Sequence, residues 1–303
     1  RDAQESRGLV DVYKRQGRRS AAKMSKVPLD AATVMLLRPS SGGRMPCIEV
    51  LLLRRNRKSS FVPGYYVFPG GVVDPGDCEP GVERFIHGID RGRAARMFPE
   101  MADSGKSLGA WVAGIRETFE EAGILIARKR DGTPLTLAAG GEQARFTAYR
   151  EELRSGKIKF SQILEAEDLI LAADTMHYYS RWITPEVMPQ RYDVRFFVTR
   201  LPEGQTAASD GVELTAHSWL TPADALKDYE EGRIGMVLPQ IATLEELSGF
   251  QTVEETISLA QNRLAPSTLT KILWTDGKAV EVMPDGSVFE NRPPVYPPPG
   301  NKR

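Results

Sequence analysis

Arg116-Glu117-Thr118-Phe119-Glu120-Glu121-Ala122-Gly123-Ile124 is the stretch on which the reading of this chain turns. Leu108, Trp111, Val112, Ile115 and Phe119 recur at the spacing of one helix face, which predicts a helix capped by Ser107 and stopped by Gly123. Glu117, Glu120 and Glu121 then fall at i, i+3 and i+4 on the opposite face. A solvated acidic face is the simple account of such a trio. Against it, Glu120 and Glu121 stand in the last turn, where the negative end of the helix dipole disfavours each acid by about 0.3–1 kcal/mol. Apart from Arg116, and Arg128 and Lys129 in the loop beyond, no base is near enough in sequence to pair with them. Three carboxylates on one wall become favourable around a hard divalent cation, which takes oxygen ligands.

Outward from this helix the pattern is mixed α/β. Ala31 to Arg38 and Ile48 to Arg54 read as a β-hairpin across a Ser-Ser-Gly-Gly turn. Phe68-Pro69-Gly70-Gly71 is followed by an Asp/Pro/Gly-rich loop, and residues 80–103 show no single period. Helices are expected at 142–155 and 160–169, strands near 179–183, 193–201 and 212–220. Further helices are expected at 222–231 (capped by Thr221), 237–247 and 253–263. The first 23 residues are polar and basic and read as a non-native or disordered leader, and the Pro-rich tail from Arg292 reads as mobile.

The quoted string resembles the core of the Nudix box, Arg-Glu-U-x-Glu-Glu-x-Gly-U with U a bulky apolar residue, Thr118 being its weakest position. At about 6% usage per residue type, a chance match to Arg, three Glu and Gly in a chain this long is on the order of 10⁻⁴. Gly71 to Asp77 resembles the opening of the box, with Asp77 where the family carries Glu. Residues 78–115, 38 in all, stand where the standard box has seven. A long insertion there, together with Phe-Pro-Gly-Gly and Arg-Glu-Thr-Phe-Glu-Glu-Ala-Gly, resembles the peroxisomal CoA diphosphatase branch. Upstream, Leu51, Leu52, Arg55 and Gly64 match that branch's signature, while Leu53, Asn56 and Ser60 depart from it.

The resemblance implies a Nudix α/β/α sandwich with a mixed sheet at 24–248, an insertion at 78–109 and a helical C-terminal extension at 249–303. It implies metal-dependent cleavage of a nucleoside diphosphate linked to another moiety, with Mg²⁺ or Mn²⁺ held by Glu117, Glu120, Glu121 and the Gly70 carbonyl. Glu120 is the candidate base, Arg116 the residue that orients a glutamate, and Glu213 a further catalytic carboxylate, chosen over Asp210 and His217. Arg55, Arg57 and Lys58 are candidate phosphate ligands, with a solvated strand end as the alternative. CoA or acyl-CoA is the first substrate, ADP-ribose or a dinucleotide the second, and a non-catalytic nucleotide-binding regulator the reading from another class. The apolar residues of the insertion, Val82, Phe85, Ile86, Met97, Phe98 and Met101, are expected to form a lobe beside the cleft.

Composition narrows the partners. Forty Lys plus Arg balance forty Asp plus Glu in 303 residues, which leaves no broad field for nucleic acid or an anionic membrane. No run approaches the roughly 18 apolar residues of a spanning helix. Two cysteines cannot build a disulfide framework, and with no signal peptide at the start and Asn301-Lys302-Arg303 unlike a peroxisomal address, a cytoplasmic protein is expected.

Overall fold

The computed structural model describes residues 27–40, 47–58, 62–101, 103–137, 140–188, 190–209, 211, 214–275 and 278–290. The expected leader, the hairpin turn, Ser60, Asp210, Glu213 and the Pro-rich tail lie wholly or largely outside them. Strands β1 (Leu29–Pro39) and β2 (Ile48–Arg55) pair antiparallel, as their alternation predicted. β3 (Tyr66–Val67) joins β2, and β4 (Gly70–Val72) joins β1. The insertion then runs through two 3₁₀ turns at 75–78 and 82–85, β5 (Ile86–His87) and α1 (Arg91–Met97) into the long helix α2 (Ser104–Ala122). There follow β6 (Ala127–Lys129), α3 (Gly141–Arg154), α4 (Phe160–Ala166), β7 (Leu169–Ala172), β8 (His177–Ile183), β9 (Tyr192–Arg200) and β10 (Leu214–Leu220). The chain closes with α5 (Pro222–Glu230), α6 (Leu238–Leu247), α7 (Val253–Asn262), β11 (Ser267–Leu269), β12 (Lys271–Thr275), β13 (Lys278–Val282) and β14 (Val288–Phe289).

The main sheet is mixed, in the order β10-β2-β1-β9-β8-β11, with β1–β9 and β8–β11 parallel. Alternation along β1 sends Ala32, Val34 and Leu36 to one face and Met35 and Leu37 to the other. The first face packs on α2 and the insertion, the second on α5, α6 and α7, so the sheet is the middle layer of an α/β/α sandwich. One edge of β1 is shared: residues 37–39 pair β2 while 31–33 pair β4.

Several expectations need correction. Helix α2 starts at Ser104, where the Asp103 carboxylate accepts the Gly105 N–H and a fully buried Ser107 sits inside the first turn. The helix expected to reach Leu169 stops at Ala166, because Asp168 adopts a left-handed φ of 50° and Leu169–Ala172 pairs with β5 and β6. Beyond 248 the chain adds four short strands to the expected helix.

The insertion is part of the core. Phe98 is fully buried, stacks on Trp111 at 4.8 Å and meets Tyr178 edge-on at 4.8 Å. Val82, Phe85 and Met101 are buried around α2, with Ile86 and Met97 packed against them. Glu100, two residues past Phe98, pairs at 2.9 Å with Arg195, a fully buried guanidinium on β9 that also bonds Asp30 at 2.9 Å. These contacts fasten the insertion to the face of the sheet away from α5–α7. We expect Phe98→Ala to lower the unfolding free energy by about 3–5 kcal/mol in denaturant titration. A loss below about 1 kcal/mol would mean the insertion is a detachable appendage.

Candidate active site

The site is assembled by one side chain. Arg116 is 7% exposed, and its five N–H donors are directed at three acidic residues and a backbone carbonyl. Nε and Nη2 grip Asp77 in a bidentate pair at 2.8 and 2.9 Å, and Nη2 also reaches the Val72 carbonyl at 3.1 Å. Nη1 donates to Glu117 at 2.8 Å and to Glu120 at 2.9 Å. The Asp substituted for Glu at the box opening thus keeps the pairing with Arg116 across 39 positions. Burial works against the Arg116 charge, but the Asp77 bonds and the neighbouring carboxylates hold its pKa above the ordinary value. Burial also raises the Asp77 pKa, against the pull of Arg116.

The trio on α2 is therefore not an unpaired acidic face. Glu117 is the most perturbed: burial pushes its pKa to about 7, Arg116 pulls it down and Glu120 pushes it back up. Glu121 is 6% exposed, and its Oε2 accepts the Gly70 N–H at 2.9 Å. The two halves of the motif meet there, 51 positions apart, through the Gly70 amide. Thr118, the weak apolar position, is fully buried, with its hydroxyl donated to the Gly114 carbonyl at 2.7 Å. Gly71 leaves room for the Glu117 carboxylate, since a Cβ there would lie 2.4 Å from Glu117 Oε1.

Gly70, Gly71, Glu117 and Glu121 line one end of a cavity of about 430 Å³, with Arg55 beside them. Its floor is a row across the sheet, Val72, Ala31, Val194 and Trp182, paired in register from β4 through β1 and β9 to β8. Glu120 is held back by Arg116 and is not among the residues that line this cavity. Arg57 and Lys58 are exposed outside it: the chain leaves β2 after Arg55, the Asn56 carboxamide accepts the Lys58 N–H, and Arg57 faces a groove with Gly64 and Tyr65. His217 is exposed on β10 opposite Leu53. Glu213 lies outside the described residues. The expected lobe does not border the cleft. The insertion's apolar side chains are turned into the core, and the apolar walls come instead from the β8–β9 hairpin and the start of α6. Gln240, Thr270 and Glu281, which also line the cavity, carry no motif that sequence reading could have used.

Among the described residues no three His, Cys, Asp or Glu side chains are grouped as ready metal ligands. The donor chemistry nevertheless suits a hard divalent cation. Glu117 and Glu121 supply carboxylate oxygens at one cavity end, and a cation there would offset the burial that raises the Glu117 pKa.

Fold and cleft together define a hydrolase of the Nudix class. Within it, residues 29–247 match the family model of the NUDT19 Nudix domain, and the chain belongs to that family. The acyl-coenzyme A diphosphatase NUDT19 of Xenopus laevis is 28% identical over 276 residues, covering 77% of this chain and 73% of that protein. The Homo sapiens protein of the same name is 25% identical, covering 83% and 73%. The crystal structure of a Nudix hydrolase from Alicyclobacillus acidocaldarius superposes with a TM-score of 0.61 at 27% identity, covering 78% of this chain and 97% of that one.

The Gly71 contact yields a direct test. Gly71→Ala should displace the flexible Glu117 carboxylate while the backbone holds, leaving the melting temperature near wild type and lowering hydrolase kcat/KM by about 10²-fold. Undiminished turnover would show that Glu117 need not stand where it does.

Proposed function

We propose that this enzyme is a Mg²⁺- or Mn²⁺-dependent diphosphatase that cleaves CoA or acyl-CoA to 3′,5′-ADP and the (acyl-)phosphopantetheine. The observation that carries the reading is the cavity itself: two carboxylates at one end, then a floor running across the sheet that could hold a long, mostly neutral arm. The names of the relatives support the same substrate class. ADP-ribose or a dinucleotide is the second choice.

Glu117 and Glu121 would hold the cation, with Gly70 beside them, and Glu120 would be a further ligand or the base that takes a proton from water. A bound divalent cation supplies charge neutralisation for the diphosphate and a more acidic water. Arg116 holds one oxygen each of Glu117 and Glu120, which would aim Glu117 at the cavity before substrate arrives. Arg55 lines the same cavity and would pair with phosphate oxygens. The family match, which makes the chain a hydrolase, weighs against the regulator reading. Both cysteines are free thiols, as a reducing compartment such as the cytoplasm would keep them.

The test is a turnover assay on a panel of diphosphates with and without divalent metal. We expect acyl-CoA hydrolysis that a chelator abolishes, and Glu121→Gln to lower it more than about 100-fold. Unfolding free energy should move by no more than about 1 kcal/mol, because the neutral isostere can still accept the Gly70 N–H. Full activity of Glu121→Gln at saturating Mg²⁺ would remove that carboxylate from the metal site.

A further inference from the structure

The cleft continues past its floor. β11 pairs with β8 through Thr268 and Trp182, and Thr270 follows β11 directly. At about 4.8 Å per strand, the four steps from β4 to β11 span about 19 Å. Gly70 and Gly71 stand at one limit of the cavity, and Thr270 and Glu281 come from the other side of the sheet.

Gln240 and Glu281 are two of the polar residues lining this space, with Thr184, Tyr192 and Thr270. Gln240, in the first turn of α6, is 8% exposed, and its Oε1 has no hydrogen-bond partner. Glu281, on β13, is 3% exposed and accepts the Thr270 hydroxyl. That bond orients the carboxylate on the cavity wall. A buried acceptor left without a donor is costly in a medium of low polarity, and a bound N–H would relieve that cost.

We propose that Gln240 and Glu281 are specificity-determining residues that accept N–H donors on the arm of the substrate. This deepens the acyl-CoA reading and rests on it: the pantetheine arm carries two secondary amides, each with a strong N–H donor. A carboxylate and an amide oxygen on the cavity wall favour such an arm and oppose one ending in an anion. Large discrimination arises this way, because the wrong ligand leaves buried polar groups unpaired. Glu281 and Thr270 lie beyond the matched span 29–247, so the C-terminal segment completes the substrate site.

Steady-state kinetics with an acyl-CoA tests this, alongside inhibition by ADP-ribose, whose arm ends one ribose beyond the diphosphate. Gln240→Met removes the orphaned acceptor at similar volume; Glu281→Gln removes the charge and keeps the shape. Each should raise KM for acyl-CoA about tenfold, with the ADP-ribose inhibition constant moving less than about twofold. Gln240→Met should also melt no lower than wild type. An unmoved KM for acyl-CoA, or equal changes for both ligands, overturns the proposal, since the residues are then structural or read the shared adenine. If Glu281→Gln fails to fold, Glu281→Asp takes its place: it should retain most of the selectivity for acyl-CoA over ADP-ribose, and losing both affinities alike overturns the role. A wild-type protein inactive on acyl-CoA would overturn the function reading and this proposal with it, whereas an active wild type with unmoved variants overturns the proposal alone.

Discussion

A buried guanidinium is the constraint on which the site depends. Arg116 can stay charged at 7% exposure only while acceptors surround it, and Asp77, Glu117, Glu120 and the Val72 carbonyl supply them. Remove Asp77 and the charge loses its bidentate partner, leaving the looser Asp74 pair at 3.6 Å between α2 and the loop after β4. The same contacts hold Glu117 at the cavity wall and tie down Glu120, so stability and the geometry of the proposed site share one set of hydrogen bonds. Evolution can lengthen the chain between Asp77 and Arg116, provided both ends return to the same place.

The insertion shows how little that lengthening costs. Closing 38 residues in place of seven adds about 1.5 kcal/mol of loop entropy. Burying Phe98 against Trp111, and pairing Glu100 with the buried Arg195, contributes more than this on the face of the sheet opposite α5–α7. The insertion therefore enlarges the core, and the substrate cleft is left to other segments. The β8–β9 hairpin, Thr270 and Glu281 form its far walls, so the segments that shape that end of the cavity are separate in sequence from the Arg116–Gly123 motif.

The α2 helix and its carboxylates were legible because their signals are local. Apolar spacing fixed the helix, and Arg116 to Gly123 fixed the motif. The cap was misplaced because Ser107 and Asp103 are both good capping residues, and burial of Leu108 within the first full turns, rather than propensity, decides between them. Strands β3 to β7 went unread since two to four residues carry too little period, and their pairing is set by tertiary contact. Arg57 and Lys58 looked equivalent to Arg55 in sequence; the turn after Arg55 separates them, and nothing in composition marks it. Gln240 and Glu281 could not be found at all, because lining a cavity, like the orphaned Oε1 of Gln240, is a property of the surroundings.

The central claim, that the Asp77–Arg116 pair acts as one unit in building the catalytic geometry, is tested most directly by a double-mutant cycle on kcat/KM. With Asp77→Ala, Arg116→Met and the double variant, the account predicts strong non-additivity: the double variant should be no slower than the worse single by more than about threefold. Losses that multiply, each variant acting independently of the other, would contradict it.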